Sequence, residues 1–200
     1  MSKIVTGASV SVDGYIAGPG ETGFEHLFAW YGAGDVEFPS THPEIPFSLT
    51  APDHAYLTEF HDRIGVLVVG RRLFDMTNGW DGIHPLDRPV VVVTHRVPDD
   101  WVAAHPDAPF TFVTDGLEAA LERAREIAGD QDVGVNGGEI ARQCLELGVL
   151  DEINVDLVPV LLGDGVPFFD HVKSAPVLLN EPTVIQGSRV THLHYVVRKS

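Results

Sequence analysis

The chain has 200 residues, 44% of them hydrophobic, which fits one domain with a buried core spanning residues 1–200. Its net charge of −16 argues against nucleic-acid binding, and no apolar run is long enough to span a membrane. A single cysteine, Cys144, excludes an internal disulfide. The first residues enter a strand without the apolar core of a signal peptide, so we expect a cytoplasmic protein.

The first third of the chain predicts a strand, a helix, a long loop and a second helix. Residues 3–12 alternate between apolar and polar side chains and end at an Asp-Gly turn, which is typical of a strand. Apolar residues recur at helical spacing across 21–31, and 51–63 predicts a second helix with Pro52 in its first turn. Residues 32–52 are rich in Gly, Pro, Ser and Thr, and a loop of this length indicates a lid or binding element.

The middle of the chain contains short apolar runs that predict strands buried on both faces, as in a parallel sheet: residues 65–70, 89–94, 110–113 and 132–135. A helix follows the third run, with Asp115 expected as its N-cap and Glu118 completing a capping box. Another helix follows Gly137 and Gly138.

The C-terminal quarter predicts three strands, at 151–162, 176–186 and 190–198. The segments between them are too short for helical crossovers, so these strands are expected to be antiparallel. The whole chain is therefore predicted to be an α/β domain, with a mixed, mostly parallel central sheet and helices on both faces.

Three of the predicted strand ends carry residues that suit an anionic ligand. The carboxyl ends of parallel strands meet at one edge of a sheet, so these residues should converge. They are Gly70, Arg71 and Arg72 after one strand, Thr94, His95 and Arg96 after the next, and Asn136, Gly137, Gly138, Glu139 and Ile140 at a helix start. A helix N-terminus suits a pyrophosphate and the arginines suit a further phosphate, which favours NADPH over NADH. The Rossmann fingerprint and the P-loop pattern are absent.

Five sequence segments occur in the order in which a known superfamily carries them. They are Ser-Val-Asp-Gly-Tyr-Ile-Ala at 11–17, Val-Gly-Arg-Arg at 69–72, Val-Asn-Gly-Gly at 135–138, Val-Leu-Asp-Glu-Ile at 149–153 and Val-Pro-Val-Leu-Leu-Gly-Asp-Gly-Val-Pro-Phe at 158–168. Over nearly its whole length the chain resembles the dihydrofolate-reductase-like superfamily. Within it, the chain is similar to the C-terminal reductase domain of the bifunctional riboflavin-biosynthesis deaminase-reductases.

The resemblance implies a three-layer α/β fold, homodimers, and hydride transfer from NADPH to a small heterocycle. The implied activity is similar to that of 5-amino-6-(5-phosphoribosylamino)uracil reductase. The nicotinamide would contact Ser9, Val10 and Ile16. The 2′-phosphate would lie at the two arginine-bearing strand ends, and the pyrophosphate at 137–141, which adds Ala141 to the site.

The substrate half of the site carries fewer signals. Asp13, Trp30 and Tyr31 are candidates for contacting the heterocycle, with a turn role for Asp13 and a core role for the aromatic residues as alternatives. The folate enzymes resembled here carry a carboxylate on the first helix where this chain has Leu27. The riboflavin enzymes carry one before the glycine turn, where it has Asn136. No catalytic residue is therefore assigned.

Other functions on the same fold stay open. They are a dihydrofolate or other pteridine reductase, a flavin- or deazaflavin-dependent reductase, and a non-catalytic nucleotide sensor. The zinc-deaminase motif is absent. His192 and His194 share a strand face but have no third ligand nearby in sequence, so no metal site is predicted.

Overall fold

A large mixed sheet runs through the centre of the molecule. The computed structural model describes residues 2–199, which contain the strands β1 (Ile4–Ser11), β2 (Tyr15–Ala17), β3 (Val36–Phe38), β4 (Phe47–Leu49), β5 (Ile64–Gly70), β6 (Val90–Val93), β7 (Phe110–Val113), β8 (Asp132–Val135), β9 (Glu152–Val158), β10 (Val166–Pro167), β11 (Thr183–Gln186) and β12 (Thr191–Val196). Eight of these strands form the central sheet, in the order β11-β12-β9-β1-β8-β5-β6-β7. Neighbours from β9 to β7 are parallel, whereas β12 and β11 are antiparallel, which confirms the predicted sheet.

Helices cover both faces of this sheet. They are α1 (Phe24–Leu27), α2 (Ala51–Arg63), α3 (Arg71–Thr77), α4 (Asp99–Ala104), α5 (Leu117–Ala128) and α6 (Glu139–Glu146). One hydrophobic cluster packs α5 and α6 on the sheet, and two others hold α2, α3 and α4. Within residues 2–199, no helix has the length and apolarity needed to cross a bilayer.

The central strands are buried on both faces, as their apolar sequences predict. Val68 packs in the cluster under α5 and α6, whereas its neighbour Val69 packs with Phe74 of α3. Successive residues of a strand point to opposite faces, so a continuous apolar run is required here. This constraint explains why β5 and β6 have almost no polar side chains.

Two predictions for the N-terminal third are corrected. The helix expected at 21–31 is the short α1, followed by a 3-10 turn at Ala29–Gly32. The loop expected at 32–52 contains the antiparallel pair β3 and β4, and Ala51 already begins α2. The reason is local packing: Phe38 and Phe47 are buried in a small cluster with Trp30 and Leu57. This segment therefore has its own core.

Two further predictions are wrong at their ends. Asp115 does not cap α5: the N-cap is Gly116, at φ 93°, and no side chain caps the helix. The strand expected at 176–186 is only β11, and its first half makes one isolated bridge, between Leu179 and Val197. In both cases a proline or glycine sets the backbone conformation, which the pattern of apolar and polar side chains does not reveal.

A buried carboxylate joins α2 to the sheet. Glu152, at the start of β9, is 2% exposed and pairs with Lys3, with Arg63 Nη2 at 2.7 Å and with His194 Nε2 at 3.1 Å. Burial raises the pKa of Glu152, but hydrogen bonds from Lys3, Arg63 and His194 outweigh it and hold the pKa at about 2, against an ordinary 4.5. The carboxylate is thus charged at neutral pH and stabilised by its partners.

Replacing this carboxylate tests its contribution to stability. We expect Glu152→Gln to lower the free energy of unfolding at pH 7 by about 2 kcal/mol, because the charge-assisted hydrogen bonds from Lys3 and Arg63 to this buried carboxylate are lost. The folded-state pKa is depressed, so the contribution is fully present above pH 4.5 and is lost as the pH falls toward 2. When unfolding in urea is measured across this pH range, the free energy of unfolding should fall less steeply with decreasing pH in Glu152→Gln than in the parent protein. The exposed Glu122 on α5 provides the control, Glu122→Gln, and equal pH slopes in parent and Glu152→Gln would contradict the assignment.

Candidate functional site

A cavity of about 1020 Å³ lies at the carboxyl ends of β1, β8, β5 and β6. It reaches from the arginine turn after β5 to the face of β1 and β9 beneath α2. The three strand ends singled out in the sequence do converge on its wall. The predicted residues that line it are Ser9, Ile16, Tyr31, Gly70, Arg71, Arg72, Thr94, His95, Asn136, Gly137, Gly138, Glu139 and Ile140.

The Asn136 side chain connects two of these strand ends. Its Oδ1 accepts a hydrogen bond from the Gly70 amide at 3.1 Å, and its Nδ2 donates to the Gly137 carbonyl at 2.9 Å. The turns after β5 and β8 are therefore fixed relative to each other. This amide role explains why asparagine stands at 136, since a carboxylate has no N–H to donate.

The glycine turn has no space for larger side chains. A Cβ atom on Gly137 would lie 2.9 Å from the Phe168 ring and 3.2 Å from Ile16, and Gly138 has φ 71°. The helix α6 begins directly after this turn, so its first N–H groups lie beside the cavity wall formed by Glu139 and Ile140. Such amides and the positive end of the helix dipole suit an anionic group.

The two arginines that follow β5 are held by different partners. Arg71 donates to Asp75 at 2.7 Å, to the Thr94 hydroxyl at 3.2 Å and to the Arg96 carbonyl at 2.8 Å, so it bridges the ends of β5 and β6. Arg72 is 75% exposed and pairs with Glu21 across the cavity mouth. Both guanidinium groups remain within reach of a ligand anion at this end.

Three of the predicted cofactor residues do not line the cavity. Val10 and Ala141 belong to the hydrophobic core under α6, because Val10 lies on the opposite face of β1 from Ser9, and Ala141 is fully buried in the helix face. Arg96 contributes its backbone carbonyl to Arg71 and places its side chain outside the cavity wall.

Two of the candidate substrate residues, Asp13 and Trp30, take the turn and core positions that the sequence offered as alternatives. Asp13 accepts hydrogen bonds from the Ser11 hydroxyl and from the amides of Leu162 and Gly163, which hold the 162–165 turn against the end of β1. The Ser11 hydrogen bond is the main cause that lowers the pKa of Asp13, and the two amides add to it. Trp30 is fully buried and donates to Ser9 Oγ at 3.0 Å.

The first helix presents no carboxylate to the cavity. Leu27 is fully buried, and Glu25 lies on the exposed side of α1, outside the cavity wall. The first helix therefore supplies no acid to the cavity, in contrast to the carboxylate that the folate enzymes carry where this chain has Leu27.

A polar row that the sequence reasoning missed crosses the sheet beneath α2. In register, Ser9 of β1 lies beside Asp156 of β9, and Asp156 lies beside His192 of β12. All three residues are at least 91% buried, and Ser9 and Asp156 line the cavity. The alternation of Glu152, Asn154 and Asp156 along an otherwise apolar strand is the signal that was available in the sequence.

His192 lies between two carboxylates. Its Nδ1 is 2.8 Å from Asp156 Oδ1 and its Nε2 is 3.0 Å from Asp53 Oδ1, while the Tyr56 ring stacks on the imidazole with centroids 3.9 Å apart. Burial lowers the pKa of His192, but the hydrogen bonds and charges of Asp156 and Asp53 outweigh it and raise the pKa above its ordinary value. The ring is therefore stabilised in its protonated form.

The tyrosines beside this row keep their protons. Burial, with the nearby Asp156 carboxylate as the next cause, raises the pKa of both Tyr31 and Tyr56 well above 10. The end of the cavity at β1 and β9 thus combines aromatic surfaces, two neutral hydroxyls and one carboxylate.

Solved structures of other proteins share this fold. A riboflavin biosynthesis protein from Shewanella sp. PV-4 is 22% identical with a TM-score of 0.69, over 98% of this chain and 99% of that one. A pyrimidine reductase-like protein from Corynebacterium diphtheriae is 13% identical with a TM-score of 0.60, over 100% and 93%. A diaminohydroxyphosphoribosylaminopyrimidine deaminase/5-amino-6-(5-phosphoribosylamino)uracil reductase from Thermotoga maritima gives a TM-score of 0.61 at 13% identity, over 98% of this chain and 57% of that one.

Sequence comparison finds two relatives and one matching family model. The Bacillus subtilis protein YwjB is 24% identical over 144 residues, covering 72% of this chain and 79% of YwjB. YyaP from the same organism is 23% identical over 145 residues, covering 65% and 72%. The model of the RibD C-terminal domain matches residues 2–191. The chain is therefore a member of the RibD C-terminal domain family, with the fold of the RibD-like reductases.

Proposed function

We propose that this protein is an NADPH-dependent reductase that transfers hydride to a small heterocyclic substrate bound in the large cavity. The observation that carries the proposal is the continuity of this cavity, which joins an anion-binding end at the glycine and arginine turns to an aromatic end at β1 and β9. A cofactor with phosphates at one end and a flat reactive ring at the other matches this division. Membership of the RibD C-terminal domain family supports a reductase.

The residues at the anion-binding end fit a phosphorylated dinucleotide. The amides at the start of α6 would hold the pyrophosphate, beside the glycine turn that lines the cavity. Arg71, Arg72 and the Thr94 hydroxyl would hold the 2′-phosphate. When bound, NADPH supplies the hydride, and the protein positions it against the substrate.

The other end of the cavity fits a planar ring. Phe28 and Tyr31 stack with centroids 5.4 Å apart, and both line the cavity together with Phe60. Aromatic faces suit a flat heterocycle, and the polar row at Ser9 and Asp156 supplies directional contacts. The substrate class that this favours is a pyrimidine, as in the reductases named among the structural relatives.

The 2′-phosphate assignment predicts a clear cofactor preference. We expect NADPH to bind more tightly than NADH or FMN. We also expect Arg72→Ala to lower the affinity for NADPH by roughly 10-fold, because a charge-assisted contact to the 2′-phosphate is lost, and to leave the affinity for NADH almost unchanged. Isothermal titration calorimetry measures all three ligands. Arg123→Ala removes another exposed arginine, on α5, and serves as the control. Equal affinity of the parent protein for NADPH and NADH would rule out the assignment.

The glycine turn provides a second, independent test. Gly137→Ala places a methyl group 2.9 Å from the Phe168 ring, which forces the glycine turn to shift. We expect the affinities for NADPH and NADH to fall together by roughly 10-fold, because the amides proposed to hold the pyrophosphate move with the turn. Gly32→Ala is the matched control, since a Cβ atom there meets nothing within 4 Å. Unchanged affinity in a folded Gly137→Ala protein would show that the pyrophosphate lies elsewhere.

A further inference from the structure

The wall of the large cavity changes from cationic to apolar along α3. Within residues 2–199, the lysine and arginine residues that line the cavity are Arg71 and Arg72, on the first turn of this helix. The last turn presents Met76 instead, and the chain then returns to α2, where His61 Nε2 lies 3.2 Å from the Leu86 carbonyl oxygen. The apolar region between α3 and α2, named the His84 pocket, is lined by Leu57, Phe60, Met76, Trp80, His84 and Leu86.

The backbone takes an unusual conformation where it enters this pocket. The four residues from 78 to 81 all have φ between 47° and 57°, and Gly79 is the one among them without a Cβ atom. Left-handed backbone is unfavourable for the other three, and conformations of this kind cluster at functional sites. Trp80 thereby lines the cavity and packs edge-to-face on His84, with ring centroids 4.4 Å apart.

The His84 ring offers a single hydrogen-bond donor to a ligand. Its Nδ1 accepts a hydrogen bond from the Leu86 amide at 3.2 Å, so this nitrogen carries no proton. Burial, with the nearby His42 as a second cause, lowers the pKa of His84 to about 3, so the ring is neutral at pH 7 and its hydrogen is on Nε2. Among residues 2–199, the Leu86 amide is the hydrogen-bond partner of this ring, which leaves Nε2–H available at the cavity wall.

A neutral donor among apolar side chains selects an uncharged ligand group. An oxygen of a sugar, ether or carbonyl can accept the hydrogen bond from Nε2, while carbon atoms of the same group pack on Trp80 and Met76. A phosphate in this pocket would lose its hydration without gaining a cation.

We propose that the His84 pocket binds an uncharged substituent of the pyrimidine substrate, through an oxygen that accepts a hydrogen bond from His84 Nε2. The pocket therefore discriminates against a phosphorylated substituent, whereas the substrate named for the Thermotoga maritima relative carries a phosphoribosyl group. The proposal rests on the proposed function in placing a pyrimidine in this cavity. It goes further in naming the residues that decide which substituted pyrimidine is accepted.

The first experiment compares uridine with uridine 5′-monophosphate, which share a base and a sugar and differ in one phosphate. Both are titrated calorimetrically into the full chain in the presence of excess NADPH, which occupies the anion-binding end. We expect the parent protein to bind uridine at least as tightly as the monophosphate. His84→Phe keeps an aromatic ring beside Trp80 but has no N–H, so the affinity for uridine should fall by roughly 10-fold. His26→Phe replaces an exposed histidine on α1, outside the cavity, and is the matched control.

A second variant tests the same pocket by a gain of binding. Met76→Lys adds a cation at an exposed position on the pocket wall. We expect the affinity for uridine 5′-monophosphate to rise by roughly 10-fold and the affinity for uridine to stay unchanged. Val102→Lys adds the same charge at an exposed apolar position on α4, outside the cavity, and should leave both affinities unchanged.

The outcomes separate this proposal from the reductase proposal. The pocket assignment is overturned if the parent protein does not bind uridine or binds the monophosphate more tightly. It is also overturned if a folded His84→Phe protein keeps the parent affinity for uridine, or if Met76→Lys and Val102→Lys bind the monophosphate equally. NADPH binding with none of the expected changes would keep the reductase and remove the pocket. The expected loss and gain in a protein that does not bind NADPH would keep the pocket and remove the reductase.

Discussion

Strand β1 is paired on both edges by parallel neighbours, β8 on one side and β9 on the other, and the site depends on this arrangement. The β8 side brings the glycine turn and α6 to the end of β1. The β9 side brings Asp156, and through β12 it brings His192. Because side chains alternate along β1, Ser9 joins the cavity floor while Val10 completes the core on the opposite face. One strand thus lies between the half of the cavity with the glycine and arginine turns and the half with the aromatic side chains.

Local sequence predicted the parts of the structure that depend on neighbouring residues. The buried strands follow from apolar runs, and the convergence of Gly70, Thr94 and Gly137 follows from the rule that parallel strand ends meet. The row from Ser9 to Asp156 and His192 was not predicted, because it joins residues far apart in sequence through strand register. A turn role for Asp13 and a core role for Trp30 were among the predicted alternatives, but their partners, Gly163 and Ser9, could not be predicted because they are set by packing between segments.

Charge is distributed unevenly in this acidic protein. The chain carries a net charge of −16, yet two arginines face the anion-binding end of the cavity. Each is balanced by a carboxylate, Arg71 by Asp75 and Arg72 by Glu21. An incoming phosphate therefore competes with existing ion pairs, and those exposed pairs are weak enough to exchange. The contacts of the buried Glu152 and Asp53 differ from these exposed pairs, because they hold α2 against the sheet.

The Asn136 bridge has a thermodynamic consequence for ligand binding. Its side chain joins the Gly70 amide to the Gly137 carbonyl, so the turns after β5 and β8 are ordered before any ligand arrives. Loops that order themselves only on binding lose conformational entropy at that moment, and affinity falls accordingly. Here that cost is met during folding by a single amide group. The turns after β5 and β8 are thereby preorganised as a pair, and a ligand that contacts both would not need to order them.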